Sequence, residues 1–335
     1  MQFFANLCLI GLTLPAFVLA DDFDTIYGRA NASFDYVDNT SDKPINRVSS
    51  NTSRIGFKGQ TAINDYFDAI WQVETQIQID DGRLGTFATR NSFAGISSRF
   101  GSIKLGRHDT PYKLLAYKIP LILGGSIGDI SGFSGIYHRM DQRPGNALLL
   151  QSRFGNAEFG YMYATKEENK NNGRLHSAAI NYGINKAAIQ VGLQQNTNTL
   201  YNLDSQPNNR VLAKTLSAYY IFNQTRIGVG YEHIRDQINI IDKMMTLSQG
   251  IAENKKIEII YAQYNERSRN GIYGSAYEIE LAYEYMLSKQ TSIKCGAGII
   301  QNSNTNINFG ANWLPPPLPP GSDLRFVTTG IAHSF

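Results

Sequence analysis

The sequence predicts an all-β chain: a 16-stranded antiparallel transmembrane β-barrel, closed on itself. Three observations carry that prediction. First, segments of about ten residues alternate apolar and polar side chains, the pattern of strands with one face toward hydrocarbon and the other toward water. In AIWQVETQIQI at 69–79, Val73, Thr75, Ile77 and Ile79 share one face while Gln72, Glu74, Gln76 and Gln78 share the other. Second, the joins between these segments are alternately short and long, an even–odd rule that a soluble β-sandwich does not need. Third, 19 Tyr, 17 Phe and 30 Gly beside only 18% charged residues favour strand over helix.

The chain opens on MQFFANLCLIGLTLPAFVLA, twenty residues without a charged side chain that end in small residues before Asp21 and Asp22. This predicts a cleaved signal peptide at 1–20 and a single domain at 21–335. Strands are then expected near 25–37, 52–62, 67–80, 90–99, 101–108, 145–154, 157–167 and 174–184. The second half adds 187–197, 211–222, 225–236, 240–251, 256–267, 276–287, 290–301 and 324–335. Turn chemistry marks the short joins, at Phe100-Gly101, Gly155-Asn156, Asn185-Lys186, Asn223-Gln224, Glu253-Asn254 and Ser288-Lys289. Stretches such as SDKPINRVSS, LYNLDSQPNNR and the one ending WLPPPLPPGSD read as long loops. The proline tract cannot pair as a central strand and reads as a stiff polyproline piece.

Closure follows from the solvent. In hydrocarbon every backbone amide must find a partner, so a sheet spans only when it has no edges. Sixteen strands enclose an interior too wide for side chains to fill, and water fills it instead. A face of Gln and Glu then has somewhere to point.

Several stretches resemble the Gram-negative general porins, a trimeric outer-membrane family. They are TIYGRANASFDYVD, SRIGFKGQ, FDAIWQVE, RNSFAGISSRFGSIKLGR, EYMLSKQTSIK and the closing GIAHSF, spread in order over the whole mature chain. The resemblance implies water-filled diffusion pores for small hydrophilic solutes and ions. It also implies a homotrimer in outer-membrane lipid and lipopolysaccharide, and a third loop folded into the lumen to narrow it. That loop would be 109–144, where Asp109, Asp129 and Asp141 face Lys113, Lys118, Arg139 and Arg143, so it leans basic.

Strand parity then selects the lumen residues. Arg54 and Lys58 share a face opposite Ile55 and Phe57, and a charge on the lipid face at the bilayer midplane would cost about 2–4 kcal/mol, so both should point inward. Lys104 sits between Ile103 and Leu105 and points inward for the same reason; Arg90 joins it if Phe93 faces lipid. Glu74 and Asp80 come from the polar face of the opening stretch. By family position Asp129 would be an acidic loop tip and Arg139 a wall cation at the loop's exit. The expected constriction set is therefore Arg54, Lys58, Glu74, Arg90, Lys104, Asp129 and Arg139, a ring that should weakly favour anions. Phe335 is expected to belong to the signal read by the barrel assembly machinery.

Other classes fare worse. His108, His138, His176, His233 and His333 fall in separate segments without metal-ligand spacing, and no nucleophile elbow or phosphate loop appears. Neither a cofactor nor an enzymatic activity is expected, with a barrel hydrolase the remote exception. A mature chain with Cys295 alone cannot form an internal disulfide. A net charge of +3 without a basic run gives no reason to expect a nucleic-acid partner. A surface adhesin or structural barrel is the alternative that the pattern leaves open.

Overall fold

The computed structural model describes residues 23–40, 43–82, 87–115, 118, 121–124, 140, 142–165, 173–197, 210–236, 238–268, 271, 273–307 and 319–335. The expected signal peptide at 1–20, Asp129, Arg139 and most of the proline tract lie outside them. The described chain forms one antiparallel sheet of seventeen strands. They are β1 (Phe23–Asn39), β2 (Ile45–Ser50), β3 (Arg54–Asn64), β4 (Phe67–Gln76), β5 (Ser92–Ser98) and β6 (Gly101–Arg107). After a short helix α1 (Pro111–Leu115) come β7 (Ala147–Phe154), β8 (Ala157–Thr165), β9 (Arg174–Ile184), β10 (Ala187–Thr197) and β11 (Arg210–Phe222). The last are β12 (Thr225–Arg235), β13 (Ile238–Ala252), β14 (Lys255–Ser268), β15 (Tyr273–Met286), β16 (Thr291–Ser303) and β17 (Leu324–Ser334).

Seventeen segments make sixteen staves, because β2 and β3 are two halves of one. β1 pairs with β2 through Ala32↔Ser50 and with β3 through Arg29↔Arg54. Between the halves Thr52 takes φ 56°, a left-handed bulge residue. The gap is held by side chains: Asn31 Nδ2 donates to Asn51 O at 2.9 Å, and Ser53 Oγ donates to Asn31 O at 3.0 Å. The stretch SDKPINRVSS is thus only partly loop, since INRVSS extends the second stave. The sequence hid this because the left-handed break interrupts the alternation there. β1 also pairs with β17, as in Phe34↔Thr329, which closes the barrel.

The tight joins follow turn chemistry. Gly155, Asn185 and Asn223 all have positive φ (55°, 51° and 53°), the left-handed geometry that matches two-residue hairpins to strand twist. The opposite ends carry the longer connections, with the exception of β12 and β13, which residues 236–237 alone join there. Alternation holds along the strands: on β14 Glu258, Ile260, Ala262 and Tyr264 are buried, while Ile259 and Tyr261 are exposed on the outside. Exposed apolar side chains such as Leu216, Tyr220, Val229, Met245 and Ile279 cover the exterior, as expected for a surface that meets hydrocarbon. Trp71 lies on that outer face of β4. β4 ends at Gln76, however, so Ile77, Ile79 and Asp80 lie beyond the strand they were expected to complete.

Described parts of the connection from β6 to β7 lie inside the barrel. The Tyr112 amide donates to Ser177 Oγ on β9 at 3.1 Å. Gln194 Nε2 on β10 donates to Met140 O at 2.9 Å, and Arg226 Nη2 on β12 donates to Lys118 O at 2.9 Å. All three wall residues point inward by strand parity.

Candidate functional site

The lumen side of β1 and β3–β6 carries a cationic cluster organised around two carboxylates. Glu74, inward on β4 and 6% exposed, is the first hub. Its Oε1 accepts from Arg90 Nε at 2.5 Å, its Oε2 lies 3.4 Å from Arg54 Nε, and Oε2 also accepts from the Tyr27 hydroxyl at 2.9 Å. Gln72 Nε2 donates to that same tyrosine oxygen at 2.7 Å. The Lys58 ammonium stands 5.4 Å from the centre of the Tyr27 ring, within cation–π range. One carboxylate thus fixes two guanidinium groups, and a tyrosine ties in the neighbouring lysine.

Asp109 is the second hub, at the root of the long connection. Arg143 Nη2 lies 2.8 Å and Lys113 Nζ 3.3 Å from its Oδ1, and Asn91 Nδ2 donates to its Oδ2 at 3.0 Å. Asn91 Oδ1 in turn accepts from Arg143 Nε at 3.0 Å. Asp109 and Arg143 therefore pin together the two ends of the inward segment. Burial works against the Asp109 charge, but Lys113 and Arg143 overcome it and hold the carboxyl at about 2. Burial and then the nearby Arg143 push the Arg90 guanidinium below its ordinary value, while Glu74 opposes them. His108, buried beside this knot, is likewise pushed down by desolvation, against its contact to the Asp109 carbonyl.

Lys104 completes the wall from β6. Its Nζ donates to Gln151 Oε1 at 2.8 Å and sits 4.8 Å from the centre of the Phe93 ring. Phe93 therefore faces the lumen, opposite to the premise that was to orient Arg90. The register gives the reason: Phe93 pairs with inward Gln72, whereas Ala94 pairs with outward Trp71. Arg90 reaches the lumen all the same, because it precedes β5 and is drawn back onto Glu74. Glu74 itself is a neutralised hub inside the wall rather than a bare carboxylate on the water. Arg143, not singled out over Arg139 in the sequence, is the loop-exit cation seen in the cluster.

The opposite wall has the other sign and is covered. Glu232 on β12, Asp242 on β13, Glu258 on β14, and Glu278 and Glu280 on β15 all point inward and are at most 1% exposed. Described pieces of the long connection reach two of them. Glu232 accepts from the Tyr112 hydroxyl. Glu258 Oε1 accepts from the Ile122 amide at 2.6 Å. Lys294 on β16 donates to Ile122 O at 2.6 Å, and Leu123 packs where a Cβ on Gly296 would fall. The alternation in YEIELAYEY, which puts Glu278, Glu280 and Glu284 on one face, carried this wall in the sequence. Among the described residues no group of three or more His, Cys, Asp or Glu could hold a metal.

A closed barrel with an apolar exterior, a charged interior and an inward-folded segment defines a membrane-spanning conduit-type β-barrel. The chain belongs to the Gram-negative porin family, whose model matches residues 8–305, and is thereby an outer-membrane protein. It is 23% identical to outer membrane porin protein 32 of Delftia acidovorans over 359 aligned positions, covering 98% of this chain and 99% of that one. The major outer membrane protein P.IB of Neisseria gonorrhoeae is 28% identical over 193 residues, and the match spans about half of both chains, 52% of each. Among solved structures, an anion-selective porin from Comamonas acidovorans superposes with a TM-score of 0.82 at 22% identity, covering 94% of this chain and 100% of that chain.

Proposed function

We propose that this protein is a water-filled diffusion channel for small hydrophilic solutes with a weak preference for anions. The observation that carries the reading is the unequal treatment of the two charged walls. The acidic wall on β12–β15 is buried, with Glu232 and Glu258 held by the inward segment, whereas Lys58 remains exposed and Arg54, Arg90, Lys104 and Arg143 remain partly accessible on the other. A solute passing between them meets Arg54, Lys58, Arg90, Lys104, Lys113 and Arg143 against Glu74 and Asp109. Cations that outnumber their carboxylates favour anion residence, and because they are tied into networks they bind weakly enough to release. The anion selectivity named for the Comamonas porin supports the same direction. Asp129 and Arg139 would extend this set from the inward segment.

As in the family, the working unit is a homotrimer in a membrane containing lipopolysaccharide, with Phe335 contributing to recognition by the barrel assembly machinery. Passive transport needs neither cofactor nor catalytic residue. The test is the zero-current potential of the purified protein in planar bilayers under a salt gradient. An anion-signed potential, with insertions closing in steps of three, is expected; a clear cation preference would overturn the proposal.

A further inference from the structure

The outer surface carries a charged feature that the pore does not use. On four consecutive strands the outward apolar run stops at a common edge: Leu216 on β11, Tyr231 on β12, Met245 on β13 and Tyr261 on β14. The next outward position away from the tight turns is Lys214, His233, Lys243 and Gln263 in turn. Register sets Lys214 beside His233, Leu212 beside Arg235, and Tyr231 beside Lys243. Leu212, Lys214, His233 and Arg235 enclose a cleft of about 60 Å³.

These charges have no internal answer. Lys214, Arg235 and Lys243 are exposed, and among the described residues the outward faces of β11–β14 present no Asp or Glu. Two further cations of the same rim are already engaged, Arg210 by Gln195 Oε1 at 2.5 Å and Arg267 over the Tyr273 ring at 5.0 Å. Elsewhere the rim balances itself: on β17 and β1, outward Arg325 stands opposite Asp38. Cations left unanswered on the membrane side of a barrel are tolerated only at headgroup depth, where anionic headgroups attract them.

We propose that Lys214, His233, Arg235 and Lys243 form a binding site for the phosphate of an outer-leaflet lipid. Its acyl chains lie along Leu216, Val229, Tyr231 and Met245. The bound group is a lipid phosphate rather than free phosphate because the cleft opens directly onto that apolar band and has leucine in its own wall.

The test uses the full chain in zwitterionic detergent, with bis-phosphorylated lipid A as the probe and native mass spectrometry to count bound lipid. Wild type should bind the probe on the order of a hundredfold more tightly than Lys214→Ala/Arg235→Ala/Lys243→Ala. The charge-preserving Lys214→Arg/Arg235→Lys/Lys243→Arg variant should retain binding. Dephosphorylated lipid should not distinguish wild type from the alanine variant, and millimolar inorganic phosphate should not displace lipid A. Unchanged pore conductance in the alanine variant shows that it has folded. Equal lipid A binding by wild type and the alanine variant overturns the proposal. Displacement by inorganic phosphate would assign the cleft to a free anion, and loss of the oligomer with lipid binding intact would assign it to a second copy; either result also overturns it.

Discussion

Gly28 and Phe335 hydrogen-bond each other in both directions: the Gly28 amide donates to Phe335 O at 3.0 Å, and the Phe335 amide donates to Gly28 O at 3.1 Å. The phenylalanine ring fills the space a Cβ on Gly28 would occupy, 2.3 Å away. The closing seam of the barrel therefore ends in a backbone clasp capped by an aromatic ring. Gly28→Val should force that ring out and cost about 1–3 kcal/mol, lowering the temperature at which the folded band on unheated gels converts to the unfolded one. Deleting Phe335 removes clasp and cap together and should reduce assembled trimer in the membrane; unchanged heat-modifiable trimer would count against it.

Glu74 neutralises part of the cationic wall. Glu74→Gln keeps the shape and an acceptor oxygen but removes the charge that Arg54 and Arg90 share. Zero-current potentials should move further toward anion selectivity, whereas Arg54→Glu should move them the opposite way. Buried ion-pair hubs are costly to break from one side, so a fall of about 3 kcal/mol in stability is expected for Glu74→Gln.

Asp109 links the membrane channel to pH. Its folded carboxyl lies at about 2, below its ordinary value, so its charge contributes stability above about pH 4 that is lost as pH falls through about 2. The span between those values corresponds to about 2 kcal/mol. The inward segment should loosen at its root in that window, and single-channel records should gain closures between pH 4 and 2. Asp109→Asn should show those closures already at neutral pH and lose their pH dependence.

The middle of the inward segment is held at Ile122, whose amide and carbonyl are taken by Glu258 and Lys294. Glu258→Ala strands that amide at a cost of about 1–3 kcal/mol. Open-channel current noise should rise in this variant, while Glu258→Gln, which can still accept, should stay close to wild type.

The strand plan was legible because most staves alternate and the joins at Gly155, Asn185 and Asn223 carry Gly or Asn at positive φ. It failed where backbone irregularity broke the period, at Thr52, and where a strand ended early, at Gln76. Parity identified Arg54, Lys58, Glu74 and Lys104 as lumen residues, but it could not reveal that Glu74 would be absorbed by two arginines. Those partners come from β3 and from the connection before β5, and only the three-dimensional register brings them together. The condition set for Arg90, that Phe93 face lipid, is not met, because Phe93 lies under the Lys104 ammonium. Only the β15 part of the acidic wall is legible in the alternation of YEIELAYEY, because its carboxylates come from four different strands and become one surface only when the barrel closes.

Burial of five carboxylates on β12–β15, two of them held by the inward segment, makes the barrel bipolar in construction. On the proposed reading the sign of the favoured ion follows from which wall stays accessible rather than from net charge, which a formal +3 barely biases. Shortening that one connection while leaving every strand intact would unmask Glu232 and Glu258, which Tyr112 and the Ile122 amide now hold. The same sixteen staves would then present a cation-attracting flank opposite their arginines, so that selectivity could be reversed by editing a single loop.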